Sequence, residues 1–273
     1  MQKFLSIVAW VGVASTVAAA GQALHGPTES GWQAYMAATE ARVARAAGQA
    51  LPRSAAVDRG QVLVERVQMT GPSGELEVSD ATVNHWRGLV LVPGAKIEDV
   101  LSRLEREPPD TKQEDVLSSA ILERRPGWLR VSVRVQRSLI LSAVFDTEHE
   151  VTFQRQSVSR ASSRSTATRI VEIADAGTPR EREKRPDEDR GLLWRWDAYW
   201  RYEQVEGGVL VECESVTLSR PVPMLLRPVA GPLVNHVARE SMDRTLVTFR
   251  ERFRAPSSAP AGSLLASVRG AAL

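Results

Sequence analysis

The residues whose types and spacing could do chemistry are concentrated in one strand-length run, Leu192–Glu203, which reads LLWRWDAYWRYE. Its even positions carry Trp194, Trp196, Ala198, Trp200 and Tyr202, and its odd positions from 195 carry Arg195, Asp197, Tyr199, Arg201 and Glu203. Successive side chains of a strand point to opposite faces, so the indoles and the Tyr202 phenol share one face. That face has two readings. It fills the core between a sheet and a helix, or it lines an apolar pocket, since each ring has an apolar body and one hydrogen-bonding tip.

The next run, Gly207–Arg220, is a second strand entered through Gly207-Gly208, which makes an antiparallel hairpin. Its Glu212 and Glu214 are two apart and share a face. Outward, they are ordinary solvated carboxylates. Inward, they are costly unless neutralised or bonded to Arg220 or a ligand, and they then become candidate acid/base groups. His85-Trp86 is a satisfied histidine beside a core indole, or a pair at a pocket mouth. The four histidines, His25, His85, His149 and His236, form no close ligand pair, so no metal site is expected. One cysteine, Cys213, excludes an internal disulfide and a Cys-based zinc site, and its strand position predicts a small buried side chain. GxGxxG, P-loop, HExxH and GxSxG patterns are absent, and no cofactor is expected. A Ser-His-Asp arrangement assembled in space leaves no trace in spacing, and nothing specifically suggests one.

The element that must position these strands follows them. From Pro232 to Arg254 the residues Val234, Ala238, Met242, Leu246, Phe249 and Phe253 recur at spacings of three and four, with Leu233, Val237 and Ser241 widening the stripe. The helix would be about 33 Å long and needs a broad apolar partner. Upstream, the chain offers mostly strands. Gln61–Met69 reads as the first strand, Gly71–Gly74 as a turn and Glu75–Val83 as the other arm of a hairpin. Leu89–Val92 reads as a short apolar strand, and Ala95–Val116 as a helical pair broken by Pro108-Pro109. Val116–Arg124, Leu129–Gln136 and the alternating Leu139, Leu141, Ala143 and Phe145 continue as strands, followed by Val151, Phe153 and Thr166–Ile173. Gln156–Ser165 reads as an exposed Ser/Arg-rich turn, and Thr178–Arg190 as a solvated charged loop.

The 273 residues are 43% hydrophobic with a net charge of +2, which gives ample core and no basic face for nucleic acid. Residues 1–23 have the form of a secretory signal: Lys3, the apolar run Phe4–Val13, then Ala18-Ala19-Ala20. The alternative is a membrane anchor, for which the run is short. No later segment is long and apolar enough to span a bilayer, so an exported, periplasmic protein is expected. Residues 24–59 form an N-terminal helical segment with Trp32, Tyr35, Met36, Thr39 and Val43 on one side. Residues 255–273, rich in Ala, Ser, Pro and Gly, read as a disordered tail.

The order of a helix-bearing segment, consecutive antiparallel strands and a long C-terminal amphipathic helix resembles the helix-grip fold of the START-like, or SRPBCC, superfamily. The match covers roughly Gly60–Arg254, and the LSRPVPMLL segment before the helix also looks like bacterial members. Leu76–Val92 reads as an insert relative to the simplest members. The resemblance implies an α+β fold in which a curved antiparallel sheet wraps the C-terminal helix and leaves a cavity between them. It implies that Trp194, Trp196, Trp200, Tyr202, Val237, Ser241 and Leu246 contact a hydrophobic ligand such as a lipid or isoprenoid. The expected function is an exported binder or carrier without chemistry of its own. The alternatives are a filled-core module for a protein partner and a cyclase- or dehydrase-like enzyme using the same cavity.

Overall fold

The computed structural model describes residues 24–71, 74–109, 113, 115–138, 142–221 and 227–254, with backbone alone at 138 and 227–235. The signal segment, the C-terminal tail, Leu139, Leu141 and the VPMLL part of the pre-helix segment lie outside these residues. Helix α1 (Gly26–Ala46) and a single turn, α2 (Ala55–Asp58), precede the sheet. Its strands are β1 (Leu63–Arg66), β4 (Thr82–Pro93), β5 (Val116–Arg125), β6 (Trp128–Ser138), β7 (Ser142–Arg155), β8 (Arg160–Ala174), β9 (Arg182–Glu183), β10 (Arg195–Val205) and β11 (Gly208–Ser219). A separate small hairpin pairs β2 (Thr70–Gly71) with β3 (Gly74–Glu75). Helix α3 (Ile97–Leu104) follows β4, and α4 (Arg227–Phe253) ends the described chain.

The nine-stranded sheet is antiparallel in the order β1-β4-β11-β10-β8-β7-β6-β5, with β9 appended to β8. Together with α4 laid across its concave side, this is the α+β helix-grip arrangement, the START-like fold. The sheet is covered on both faces near β4, β10 and β11. Trp32, Tyr35 and Met36 of α1 pack against Tyr199, Val216 and Leu218 on the convex face. Met242, Leu246, Phe249 and Phe253 of α4 pack against Trp86, Val90, Val211 and Cys213 on the concave face. The alternation of β10 separates the two layers, with odd positions toward α1 and even positions toward α4.

Several boundaries differ from those the sequence suggests. The first strand is four residues, not nine, because only Leu63–Arg66 pairs with β4. Leu76–Val92 is not an insert: most of it is β4, whose partners are β1 on one side and the whole of β11 on the other. The arm expected at Glu75–Val83 is therefore divided between the two-residue β3 and the start of β4. The expected turn at Gln156–Ser165 shrinks to four residues, because β8 begins at Arg160. Small side chains hide a strand from any reading based on apolar alternation. The loop Thr178–Arg190 is not simply solvated. The Glu172 carboxylate is fully buried and accepts hydrogen bonds from Lys184 Nζ (2.7 Å), Arg190 Nε (2.5 Å) and Arg190 N (3.0 Å), which strap the loop to β8.

The seat of α4 is a glycine. A Cβ at Gly88 would lie 2.4 Å from Leu246 Cδ1, 3.1 Å from Met242 Cγ and 3.3 Å from the Leu63 carbonyl oxygen. Leu246 is 0% exposed, so its end has nowhere cheap to go. Gly88→Ala is expected to cost about 1–3 kcal/mol by overpacking, and Leu246→Ala about 2–5 kcal/mol by leaving a void. Urea unfolding of the double variant should show a total clearly below the sum of the two. Strict additivity would mean that this contact does not seat the helix.

Candidate functional site

Between α4 and the concave face lies a cavity of about 390 Å³. Its existence is explained by side-chain size along three neighbouring strands. In register, Ser165 of β8, Ala198 of β10 and Ser215 of β11 form one row, and Ser163, Trp200 and Cys213 form the next. Apart from Trp200, the groups at these inward positions are small, and along the row Ser165, Ala198 and Ser215 none fills the space that a core leucine would fill. The walls are apolar: Leu129, Val131, Val133 and Val135 of β6, and Val151 and Phe153 of β7.

Each end of the cavity has its own character. At one end Trp200 and Phe249 stack with centroids 5.3 Å apart, Phe249 meets Phe253 at 4.6 Å, and Tyr202 lies over Phe249 at 6.2 Å. At the other end Trp196 carries the Arg137 guanidinium over its face at 5.0 Å. Arg137 Nη1 donates to Asp115 Oδ2 (3.0 Å) and to Ser241 Oγ (3.3 Å), tying β6, the approach to β5 and α4 together. Six residues of extended β10, roughly 20 Å, separate Trp196 from Tyr202.

Several polar groups along the walls are bonded among themselves, whereas Trp86 Nε1 and Asp115 Oδ1 are buried with no hydrogen-bond partner among the described residues. Thr147 Oγ1 donates to the Val133 carbonyl oxygen (2.8 Å), so it accepts from His149 Nε2–H (3.0 Å). The His149 Nδ1 then accepts from the Ser165 hydroxyl (3.3 Å), which assigns a neutral imidazole with both nitrogens satisfied. Burial lowers the His149 pKa to about 4. Tyr202 and Ser163 hydroxyls share a 3.0 Å hydrogen bond, and burial raises the Tyr202 pKa.

Of the residues singled out in the sequence, Trp196, Trp200, Tyr202, Val237 and Ser241 line the cavity. Trp194 does not. It precedes the first residue of β10, out of the alternation, and packs with the α1 cluster on the convex side. Leu246 does not line it either, since it is spent on Gly88. His85 and Trp86 part company across the sheet: Trp86 faces the cavity, and His85 lies under α1.

Glu212 and Glu214 are neither solvated nor in the cavity. Both are buried on the convex face, at 6% and 3% exposure; Arg42 of α1 lies on Glu214, and Arg201, which bonds the Ala46 carbonyl oxygen at the end of α1, lies on Glu212. Glu214 accepts from His85 Nε2 (2.7 Å) and from Arg42 of α1, and the Tyr35 hydroxyl reaches His85 Nδ1 (2.8 Å). Burial alone would raise the Glu214 pKa. The bonds from His85 and Arg42 outweigh it and hold the carboxyl below its ordinary value, while burial lifts Tyr35 to about 12. Glu212 is bound by Arg201 (3.1 Å). Sequence spacing correctly pairs the two carboxylates on one face, but it carries no sign of which face α1 covers. Asp115, Arg137 and His149 are not legible as cavity residues, since each sits among other polar residues (Gln113-Glu114-Asp115, Gln136-Arg137-Ser138, Glu148-His149-Glu150) and nothing local sets it apart.

No group of three or more potential metal ligands occurs among the described residues, and no described helix is long and apolar enough to cross a membrane. No family model and no curated protein matches the sequence. Solved structures do resemble the fold. The STAR-related lipid transfer protein from Xanthomonas axonopodis is 16% identical, with 66% of this chain and 96% of that chain covered at a TM-score of 0.44. Human STARD10 is 11% identical, with 78% of each chain covered and a TM-score of 0.47. The Zhui aromatase/cyclase from Streptomyces sp. R1128 is 13% identical, covering 64% and 97%, at 0.31.

The buried neutral histidine has a pH consequence. An unfolded His149 titrates near ~6.5 and the folded one near about 4, so the unfolded state binds more protons between these values. Stability from this site is therefore complete above pH ~6.5 and lost progressively as pH falls toward ~4. Urea unfolding of wild type and His149→Gln at pH 7 and pH 4.5 should show the wild type losing the more stability, by about 2–3 kcal/mol. Parallel losses would contradict the neutral buried assignment.

Proposed function

We propose that the protein binds and carries one hydrophobic small molecule, lipid or isoprenoid in character, in the cavity beneath α4, without transforming it. The observation that carries this reading is the open row Ser165, Ala198 and Ser215 beneath apolar walls, which leaves about 390 Å³ in place of packed side chains. That volume lies within the usual range of roughly 300–1,000 Å³ for small-molecule sites. A filled-core module for a protein partner fits the same observation poorly, because closing the space would take only larger residues at those positions. The cyclase-like alternative loses its candidate acid/base pair, since Glu212 and Glu214 lie on the opposite face. We further propose a periplasmic location, on the strength of the signal pattern in residues 1–23.

The test is to purify the protein from its native compartment, extract it and identify bound lipids by mass spectrometry, alongside Ala198→Phe. A single near-stoichiometric apolar compound in the wild type is expected. The variant should lose it while melting at an equal or higher temperature, because the new ring occupies the void. A blank extract, together with tryptophan emission unmoved by a panel of lipids, would remove the carrier reading.

A further inference from the structure

The two side walls of the cavity differ in chemistry. On one side β6 presents only aliphatic groups, Leu129, Val131 and Val133. On the other, β4 and β11 present Asn84, Trp86, Ser215 and Thr217, with Asn84 opposite Thr217 and Trp86 opposite Ser215 in register. Asn84, Ser215 and Thr217 are half-buried, and their side chains have no hydrogen-bond partner among the described residues. In this they differ from His149, Ser163 and Ser165, each bonded within the wall. Asparagine is depleted in strands, and Asn84 lies inside β4 without capping a helix or closing a turn. A leucine there would suit a packed core better. Trp86 adds a buried Nε1–H that also lacks a partner among the described residues.

No charge accompanies these groups. Arg87, Glu212 and Glu214 occupy the alternate positions of the same two strands and bond on the convex side, where Arg87 Nε lies 4.0 Å from Glu212 and His85 holds Glu214. Thr217 is the register neighbour of Trp196, and Asn84 lies one strand further, so roughly 10 Å of sheet separates Asn84 from the Trp196 backbone.

We propose that Asn84, Ser215 and Thr217 form a subsite for an uncharged oxygen function in the body of the ligand, a hydroxyl or a carbonyl. This rests on the small-molecule-binding reading of the same cavity. An asparagine amide and two hydroxyls both donate and accept, so the subsite serves either function. A site built to bond an oxygen discriminates against the analogue that lacks it, because its own polar groups are then left unpaired. The β6 wall offers an oxygen nothing in return for its lost water. An occupant oxygenated along one side is therefore fixed in rotation about its long axis, with that side toward β4 and β11.

The experiment is a competition against an environment-sensitive apolar dye by saturated chains of one length. They carry a terminal hydroxyl alone, or a terminal hydroxyl and a second one at successive positions along the body. The wild type should bind at least one of the second kind more tightly than the plain alcohol. Asn84→Leu/Thr217→Val keeps the bulk and removes the polar groups, and should weaken that chain relative to the plain alcohol by about tenfold or more. Neither side chain has a protein partner to lose, so the variant should melt at an equal or higher temperature. Thr217→Val alone exchanges one hydroxyl for a methyl group, should shift the ratio less in the same direction, and keeps the test decisive if the double variant fails to fold. Preference of the wild type for the plain alcohol over every other chain, an unchanged ratio in the variants, or equal weakening of both kinds of chain would overturn the subsite and leave the binding reading standing. Failure of every chain to displace the dye, in a wild type that melts cooperatively, would sink both.

Discussion

The architecture depends on where α4 touches the sheet. Leu246 sits in the space that any side chain at position 88 would claim, so the helix approaches β4 closely at one side of the sheet. Elsewhere the helix and the strands cannot be equally close, because a twisted, curved sheet diverges from a straight rod. Bulky residues close the gap where the aromatic cluster of Trp200, Phe249 and Phe253 stands. Over Ser165, Ala198 and Ser215 nothing closes it. Contact at one place and small residues at another together define the cavity, and neither would do so alone.

Once the space exists, its chemistry is set by which polar groups are already bonded. His149, Tyr202 and the serines of β8 lose little by burial because each has a partner within the wall. Arg137 and Asp115 differ in that their pairing is incomplete, and both are held by elements from distant parts of the chain.

The sequence makes the grip helix and the β10–β11 hairpin legible, because period and alternation there are nearly unbroken over many residues. The even positions of β10 from Trp196 to Tyr202 face the cavity as alternation requires. Trp194 does not, because alternation holds only while the chain is in the strand, and pairing in β10 starts at Arg195. The strand from Arg160 is hidden for the same reason that it matters: Ala161, Ser163 and Ser165 carry too little apolar bulk to register as a buried face. The burial of Glu212 and Glu214 depends on α1, whose contact with them is a tertiary event with no local signature. A polar residue beneath a distant helix reads in sequence like one in water.

The cover that α1 provides also sets an order of events. Arg42 and Glu214 are 172 positions apart, and His85 and Glu214 are 129 apart. Strand β4 lies between β1 and β11, so its longest pairing must wait for nearly the whole chain to become available. Until then α1 has no finished surface on which to dock, and the β4 edge that β11 will cover stays open. Contacts of such separation slow folding through the entropy of closing long loops. Assembly of this region therefore waits on the last strand, because Glu214 of β11 is the carboxylate to which both Arg42 of α1 and His85 of β4 bind.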